Sequence, residues 1–239
     1  MPGQYSGLIP HLRGSFLSRN DMQAWLRAIT DEFAGSGIDG GRWTTCAANL
    51  GSQASIATDS PTRIIMNTNS NLSAVTLLRE GGSYKWNASD KVSIIVRAKR
   101  TSACIGDIAV NANNPSTNLF FFPIYLSTTE SLTPTCKIYL GYQTDTTKTC
   151  MILVSDDGLG SASINTIGEP DTAWHDYSMV ITNGSIKARI DCDPTPYAIN
   201  TSNITNRDLE LRCGIQGLTA GSHQIDIDFI TIIPSLQLF

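Results

Sequence analysis

Charged side chains are scarce in this chain of 239 residues, at 16% of the sequence, against about a quarter in an average soluble domain. Glutamate occurs only five times, which disfavours a helical protein because Glu and Lys usually supply the exposed faces of helices. Ser, Thr, Asn and Gly are abundant instead, and these residues are typical of turns and strand faces. The composition therefore predicts a protein built mainly of strands.

Concentrated positive charge is also missing. The net charge is −4, and no basic run is longer than Lys99-Arg100, so the chain lacks the basic patch that binds a phosphate backbone. Histidine occurs only three times, and the six cysteines follow no metal or redox spacing. We therefore expect reduced core thiols, no nucleic-acid partner, no metal site and no cofactor.

Long apolar runs are absent as well. The longest apolar stretch, Leu119 to Leu126, is interrupted by Pro123 and is too short to span a membrane. The N-terminal residues do not follow the order of a signal peptide, because the first basic residue, Arg13, comes after the apolar pair Leu8-Ile9. These absences predict no membrane partner and synthesis in a cytoplasm.

One helix is predicted near the N-terminus. Asn20 offers an N-cap, apolar residues then recur at helical spacing from Met22 to Phe33, and Gly35 is a plausible stop. The preceding residues are apolar, contain Gly and Pro, and have no clear period. We therefore divide the chain into an arm with a short helix (residues 1–34) and a strand-built domain (residues 35–239).

From Trp43 onward, apolar and polar residues alternate in short runs bounded by turn residues, which is the pattern of a half-solvated antiparallel sheet. The strongest local signal is the dipeptide Asn183-Gly184, which a two-residue type I′ hairpin turn prefers. Centring the turn there pairs Ile181 with Ile186 and Met179 with Ala188, and all four side chains share one face. Turn chemistry and register thus predict the same hairpin.

This hairpin resembles one in the concanavalin A-like lectin/glucanase superfamily and its laminin-G-type members. There a Trp-His pair opens a strand, a Gly-containing turn follows, and the next strand ends in an Asp; here these are Trp174-His175, Asn183-Gly184 and Asp191. The run Ile225 to Phe229 is similar to the superfamily's closing strand. Asp31-Glu32-Phe33 followed by Arg42-Trp43 is similar to its opening strand, which competes with the C-terminal part of the predicted helix.

The resemblance implies an all-β fold, a two-sheet antiparallel jelly-roll β-sandwich, covering about residues 31–234. Sugar binders, glycosidases and structural modules share this fold, so it does not specify a function. Glycosidases of the superfamily carry Glu-x-Asp-x-x-Glu on one strand, and this chain has no such match.

Three carboxylate groupings remain as candidate chemistry. Asp226 and Asp228 share one strand face about 7 Å apart, a spacing compatible with inverting glycoside hydrolysis, or they belong to a solvated strand face. The pairs Asp156-Asp157 and Asp191-Asp193 could hold calcium, or they are ordinary turn carboxylates. His175-Asp176 lacks the nucleophile elbow that a catalytic triad requires.

Without an evident catalytic group, we expect a non-catalytic protein. The first interpretation is a structural virion component of a bacteriophage, such as a capsid decoration, tail or fibre protein, made in the host cytoplasm. Its partners would be other virion proteins or copies of itself. The alternative is a lectin-like carbohydrate-binding module, and a glycoside hydrolase is a more remote one.

Two sets of residues are the candidate binding surfaces. For glycans, Trp86 and Tyr84 lie in a polar run and offer rings that could stack on sugars. For assembly, the arm carries apolar side chains with nothing obvious to pack on, because a jelly roll closes its own core between its two sheets. The assembly residues are Leu8, Ile9, Leu12, Phe16, Leu17, Met22 and Trp25.

Overall fold

Sixteen strands and no helix make up the part of the chain that the structure, a computed structural model, describes. The described ranges are 29–33, 43–46, 54–60, 63–68, 74–80, 86–87, 91–100, 119–127, 137–144, 149–156, 162–168, 172–182, 185–191, 193, 195–200, 208–217 and 223–234. The predominance of strands confirms the expectation from composition.

The chain crosses between the two sheets several times. In chain order they are β1 (Ile29–Asp31), β2 (Trp43–Cys46), β3 (Ala54–Ser60), β4 (Arg63–Thr68), β5 (Ala74–Glu80), β6 (Trp86–Asn87), β7 (Val92–Arg100), β8 (Leu119–Ser127), β9 (Lys137–Thr144), β10 (Thr149–Asp156), β11 (Ala162–Gly168), β12 (His175–Thr182), β13 (Ser185–Ile190), β14 (Tyr197–Asn200), β15 (Asp208–Gly217) and β16 (His223–Pro234).

Each sheet has eight antiparallel strands. Sheet A runs in the order β14-β13-β12-β7-β16-β4-β3, with β1 paired to β16. Sheet B runs in the order β11-β10-β9-β8-β15-β5-β2, with β6 paired to β15. Strands that are neighbours in space are often distant in sequence, as in a jelly roll, and the predicted two-sheet antiparallel fold is confirmed.

The core lies between the sheets and takes every second residue of the central strands. From sheet A, Ile94, Val96 and Ala98 of β7 are fully buried. From sheet B, Leu140 of β9 and Leu211 of β15 belong to the same cluster. Burial of alternate residues is the arrangement that the two-residue period predicts, because successive strand side chains point to opposite faces.

The predicted hairpin is present in its predicted register. β12 and β13 pair Ile181 with Ile186 and Met179 with Ala188, and all four side chains are buried in the core. The intervening Lys187 lies on the other face and is half-buried. A one-residue slip would exchange the two faces, so the apolar pattern stabilises this register.

The predicted helix is wrong at its C-terminal end. Ile29 to Asp31 form β1, which pairs with β16 of sheet A, and Phe33 adopts a positive φ of 49°. The sequence also suggested an opening strand at this position, and that interpretation is correct. β1 pairs with the edge of β16 at Ile230–Ile232. Residues 22–28 lie outside the described residues, as does the rest of the arm.

Among the described residues, no helix is long and apolar enough to cross a membrane.

Replacing Ile186 by Ala should lower the free energy of unfolding by about 2–5 kcal/mol, because it leaves a cavity in the core. Lys187→Ala, one residue along the same strand on the opposite face, is the matched control and should change it by less than about 0.5 kcal/mol. Urea denaturation followed by far-ultraviolet circular dichroism measures both. Equal losses in the two variants would contradict the observed register.

Candidate functional site

The face of sheet A that points away from the core carries a network of ion pairs. The Arg97 guanidinium on β7 lies 3.1 Å from the Asp176 carboxylate on β12 and 3.5 Å from the Asp228 carboxylate on β16. Two residues along β7, Lys99 lies 3.2 Å from Asp226. Two cations on the central strand thus bind three carboxylates on the strands to either side.

A β-bulge in β16 creates this arrangement. The register between β7 and β16 shifts between Ile227 and Phe229, so Asp228 is an extra residue opposite Arg97. Burial follows the shift: Ile225 and Ile227 face the core before it, and Ile230 does so after it. The bulge therefore brings the Asp228 carboxylate to Arg97 without removing β16 from the core.

Asp226 and Asp228 are not a free acid–base pair. Asp226 is 4% exposed and its carboxylate is bound by Lys99, while Asp228 is bound by Arg97. The solvated-face alternative is wrong for Asp226, because that carboxylate is buried in sheet A. An inverting hydrolase needs one protonated carboxyl and one carboxylate that activates water, and a carboxylate already paired with a cation suits neither role.

The Trp-His pair and Asp191 join the two ends of the hairpin. Nδ1 of His175 lies 2.7 Å from the Asp191 carboxylate, which also accepts a 2.9 Å hydrogen bond from the backbone N–H of Asp176. Asp191 itself has a φ of 53°, a left-handed conformation that Asp tolerates better than most residues. Trp174 lies under the Lys99 ammonium, 4.9 Å from ring centroid to Nζ. These residues stabilise the open end of the hairpin.

The turn after β13 shows no feature of a metal site. Asp193 accepts a hydrogen bond from the backbone N–H of Thr195 at 3.0 Å, and the Asp191 carboxylate is occupied as described above. Within the described ranges no three His, Cys, Asp or Glu residues come together as metal ligands. The ordinary-turn interpretation of Asp191 and Asp193 is supported by these bonds. Asp156 ends β10, and Asp157 lies outside the described residues.

Asp31 links sheet A to sheet B through hydrogen bonds of its side chain. Its carboxylate accepts hydrogen bonds from the backbone N–H of Phe33, at 2.8 Å, and from the indole N–H of Trp43 on β2 of sheet B. The Phe33 and Trp43 rings pack 5.9 Å apart in the core. The Asp-Glu-Phe and Arg-Trp pattern is therefore a structural link between β1 and β2.

Sheet B presents a row of cationic and aromatic positions on its face away from the core. Arg79, Arg212, Tyr125 and Tyr139 are successive Cα partners across β5, β15, β8 and β9. Directly opposed residues of this kind have Cβ atoms about 4.5–5.5 Å apart. The four positions therefore form one continuous line across the middle of the sheet, and we call it the Arg–Tyr row.

The face of the Arg–Tyr row is established by its neighbours. Leu126 on β8 and Leu211 on β15 are fully buried in the core, so the residues next to them in sequence, Tyr125 and Arg212, lie on the outward face. Tyr125 is nevertheless only 3% exposed. The ring of Tyr125 is therefore covered by neighbouring parts of the chain.

Carboxylate positions also lie on this outward face. One row further along the strands, Glu210, Ser127, Lys137 and Asp156 are successive partners across β15, β8, β9 and β10. Glu210 and Asp156 are separated by three strand spacings, about 14 Å, which exceeds the separation of a catalytic carboxylate pair. Asp208 and Glu210 lie two residues apart on β15, about 7 Å along the strand.

The glycan candidates are placed only in part. Trp86 lies in β6, opposite Leu209 of β15, and its side chain is outside the described residues, as is Tyr84. The predicted assembly residues are also outside the described residues: Leu8, Ile9, Leu12, Phe16, Leu17, Met22 and Trp25.

The fold is shared with carbohydrate-active proteins, although no protein-family model and no curated sequence matches the chain. An immunostimulatory antigen and pseudo β-1,3-glucanase of Mycobacterium tuberculosis has a TM-score of 0.57 at 11% identity, covering 87% of this chain and 98% of the other. A β-1,3-glucanase from Mycobacterium marinum has a TM-score of 0.54 at 10% identity, covering 85% and 97%. Alginate lyase A1-II′, of polysaccharide lyase family 7, has a TM-score of 0.53 at 13% identity, covering 76% and 84%.

These neighbours confirm the jelly-roll fold and correct the functional expectation. The expectation that the chain is not an enzyme is wrong, because proteins with this fold include ones named as a glucanase and a lyase. Nothing in the comparisons supports a bacteriophage virion component. At these identities the likeness establishes the fold.

Sequence reasoning missed the Arg–Tyr row. Alternation along β15 marks Arg212 as an outward residue, and the same argument applies to Tyr139 on β9. Their alignment could not be deduced, because Arg79, Tyr125, Tyr139 and Arg212 come from strands separated by long connections. Strand order, which is a tertiary property, decides which outward residues become neighbours.

Two aspartates on β16 should differ in their effect on stability. Asp226→Ala removes a buried partner of Lys99 and should lower the free energy of unfolding by about 1–3 kcal/mol. Asp228→Ala removes a carboxylate that is 39% exposed and should cost less than about 1 kcal/mol. Chemical denaturation of both variants tests this. A larger loss for Asp228→Ala would show that the bulge ion pair dominates the network.

Proposed function

We propose that the protein is a carbohydrate-active enzyme that binds a polysaccharide across the outward face of sheet B, at the Arg–Tyr row. The proposal combines the fold, which carries glucanases and a polysaccharide lyase, with the chemistry of the row. The observation that carries it is the alignment of Arg79, Arg212, Tyr125 and Tyr139 as register partners on adjacent strands.

Two neighbouring arginines favour an acidic sugar as the substrate. A guanidinium binds a carboxylate through two parallel hydrogen bonds, and a tyrosine ring supplies an apolar surface for a sugar ring. The four positions span three strand spacings, about 14 Å, enough for a short segment of polysaccharide. A polyuronate offers one carboxylate per sugar and therefore matches a site with two adjacent cations better than a neutral glucan does.

Elimination is the reaction that these residue types suit. A base removes the proton from C5 of a uronate, the electron pair forms the C4=C5 double bond, and the C4–O bond breaks. The departing oxygen takes a proton, so the products are an unsaturated uronate and a new chain end. Arg79 and Arg212 would stabilise the negative charge that develops on the sugar carboxylate, and Tyr139 would transfer the protons.

Tyr125 would have a positioning role in this scheme. It lies between Arg212 and Tyr139 in the row and is 3% exposed, so it is too deeply buried to be the group that meets the substrate first. Packed between its two partners, it would hold them at the spacing that one sugar unit requires.

Hydrolysis is the second candidate reaction, and two observations favour it. Asp208 and Glu210 lie two residues apart on the same face of β15, next to the Arg–Tyr row. Their spacing along the strand is about 7 Å, within the range for an inverting pair of carboxyl groups. Several structural neighbours are named as glucanases or glycoside hydrolases.

The two reactions leave different products, so one screen separates them. We expect turnover of a polyuronate, detected by the ultraviolet absorbance of the double bond conjugated with the carboxylate. Arg212→Ala should reduce that rate by about 10²–10³-fold, and Tyr139→Phe should abolish it. Lys91→Ala, which removes an exposed cation just before β7, is the control and should leave the rate unchanged.

The hydrolytic alternative has its own signature in the same screen. It would give new reducing ends from β-1,3-glucan without ultraviolet absorbance, and Glu210→Gln would abolish that activity. Hydrolysis of a neutral glucan with no reaction on any polyuronate would reject the elimination proposal. Absence of turnover on both classes of polysaccharide would reject the assignment of an enzyme to this face.

A further inference from the structure

Sheet A has a second buried surface, on the side that faces away from the core. Ile95 of β7 is 4% exposed, Val180 of β12 is 1% exposed, and Ile233 of β16 is fully buried, yet none of the three belongs to the core cluster. Ser93 and Thr231 beside them are also fully buried. We call these five residues the outer patch.

Register shows that the outer patch lies on one face. Ser93 is the Cα partner of both Val180 and Ile233, and Ile95 is the partner of Thr231. Each of these positions alternates with a core residue, such as Ile94 on β7 or Ile232 on β16. Three adjacent strands thus present a contiguous, mostly apolar surface opposite to the sandwich core.

The outer patch is buried within a single chain. The exposures are those of a single chain, so a second copy does not produce them. Every described strand belongs to sheet A or sheet B, and sheet B packs against the other side of sheet A. No described strand therefore packs on the outer patch.

The path of β1 indicates which segment lies next to the outer patch. β1 is antiparallel to β16, with Ile29 opposite Ile232 and Thr30 opposite Thr231. The hydroxyls of Thr30 and Thr231 are 3.1 Å apart on the face of the outer patch. The N-terminal end of β1 therefore lies beside Ile232, next to Ile233 at the edge of the patch.

The composition of the N-terminal segment matches this surface. Apolar groups are frequent throughout residues 1–28, and the segment is long enough to turn back over three strands, which lie about 4.8 Å apart. The large apolar residues of the N-terminal segment are Leu8, Ile9, Leu12, Phe16, Leu17, Met22, Trp25 and Leu26.

We propose that residues 1–28 dock on the outer patch of their own chain and form a third layer against sheet A. From the sequence, we expected these apolar residues to pack on a neighbouring subunit, because a jelly roll closes its core between its own sheets. The outer patch supplies that surface within one chain. The docked segment is a part of the domain, and its apolar side chains are not free for assembly.

Photochemical cross-linking of the full chain tests this proposal. A benzoylphenylalanine probe replaces Val180, and folding of the variant is checked by circular dichroism before irradiation. An equal mixture of isotopically light and heavy chains is then irradiated and analysed by mass spectrometry. We expect cross-links from the probe to peptides of residues 1–28, within chains of one isotope only.

Two further probes complete the design. A probe at Leu12 should cross-link to peptides containing residues 92–100, 175–182 or 223–234, and it keeps the test valid if the Val180 variant does not fold. A probe at Thr172, an exposed residue before β12, is the control and should give no link to residues 1–28.

Three results would overturn the proposal. Cross-links between light and heavy chains would assign the segment to a second copy. Links from the Val180 probe to residues 235–239 or to an internal segment would identify a different cover. Equal linking of residues 1–28 to the Thr172 probe would show that the segment has no preferred surface.

Discussion

Burial of alternate side chains between two sheets is the constraint on which the rest of this structure depends. Because successive residues of a strand point to opposite faces, the core residues of β7 and β15 determine what their intervening residues can do. Ile94 and Val96 place Arg97 on the outside of sheet A, and Leu211 places Arg212 on the outside of sheet B. Both outward surfaces follow from the position of the core.

The one departure from strict alternation on β16 shows how the constraint is adjusted. With the bulge at Asp228, the strand keeps Ile225 and Ile230 in the core although they are an odd number of residues apart. The extra residue reaches Arg97, so a local irregularity adds an ion pair to the outer network. From the sequence alone, Asp228 was a candidate member of a catalytic pair with Asp226.

The two outward faces differ in what they offer to a ligand. On sheet A, Arg97 and Lys99 are paired with three aspartates and the apolar outer patch is buried. On sheet B, two arginine and two tyrosine positions are aligned as register partners, and Asp208 and Glu210 lie on the same face of β15. That contrast is why the proposed site lies on sheet B, although the residues that carry the superfamily resemblance are mainly in sheet A.

The sequence alone determined the features that depend on neighbours along the chain. The period of two and the Asn183-Gly184 turn predicted the hairpin register correctly, because turn geometry and alternation are local. Helical spacing was misleading at Ile29, where pairing with β16, over two hundred residues later, overrides local propensity. Only the tertiary structure brought Arg79 beside Arg212 and buried Asp226 against Lys99, because both depend on the order of strands within the sheets.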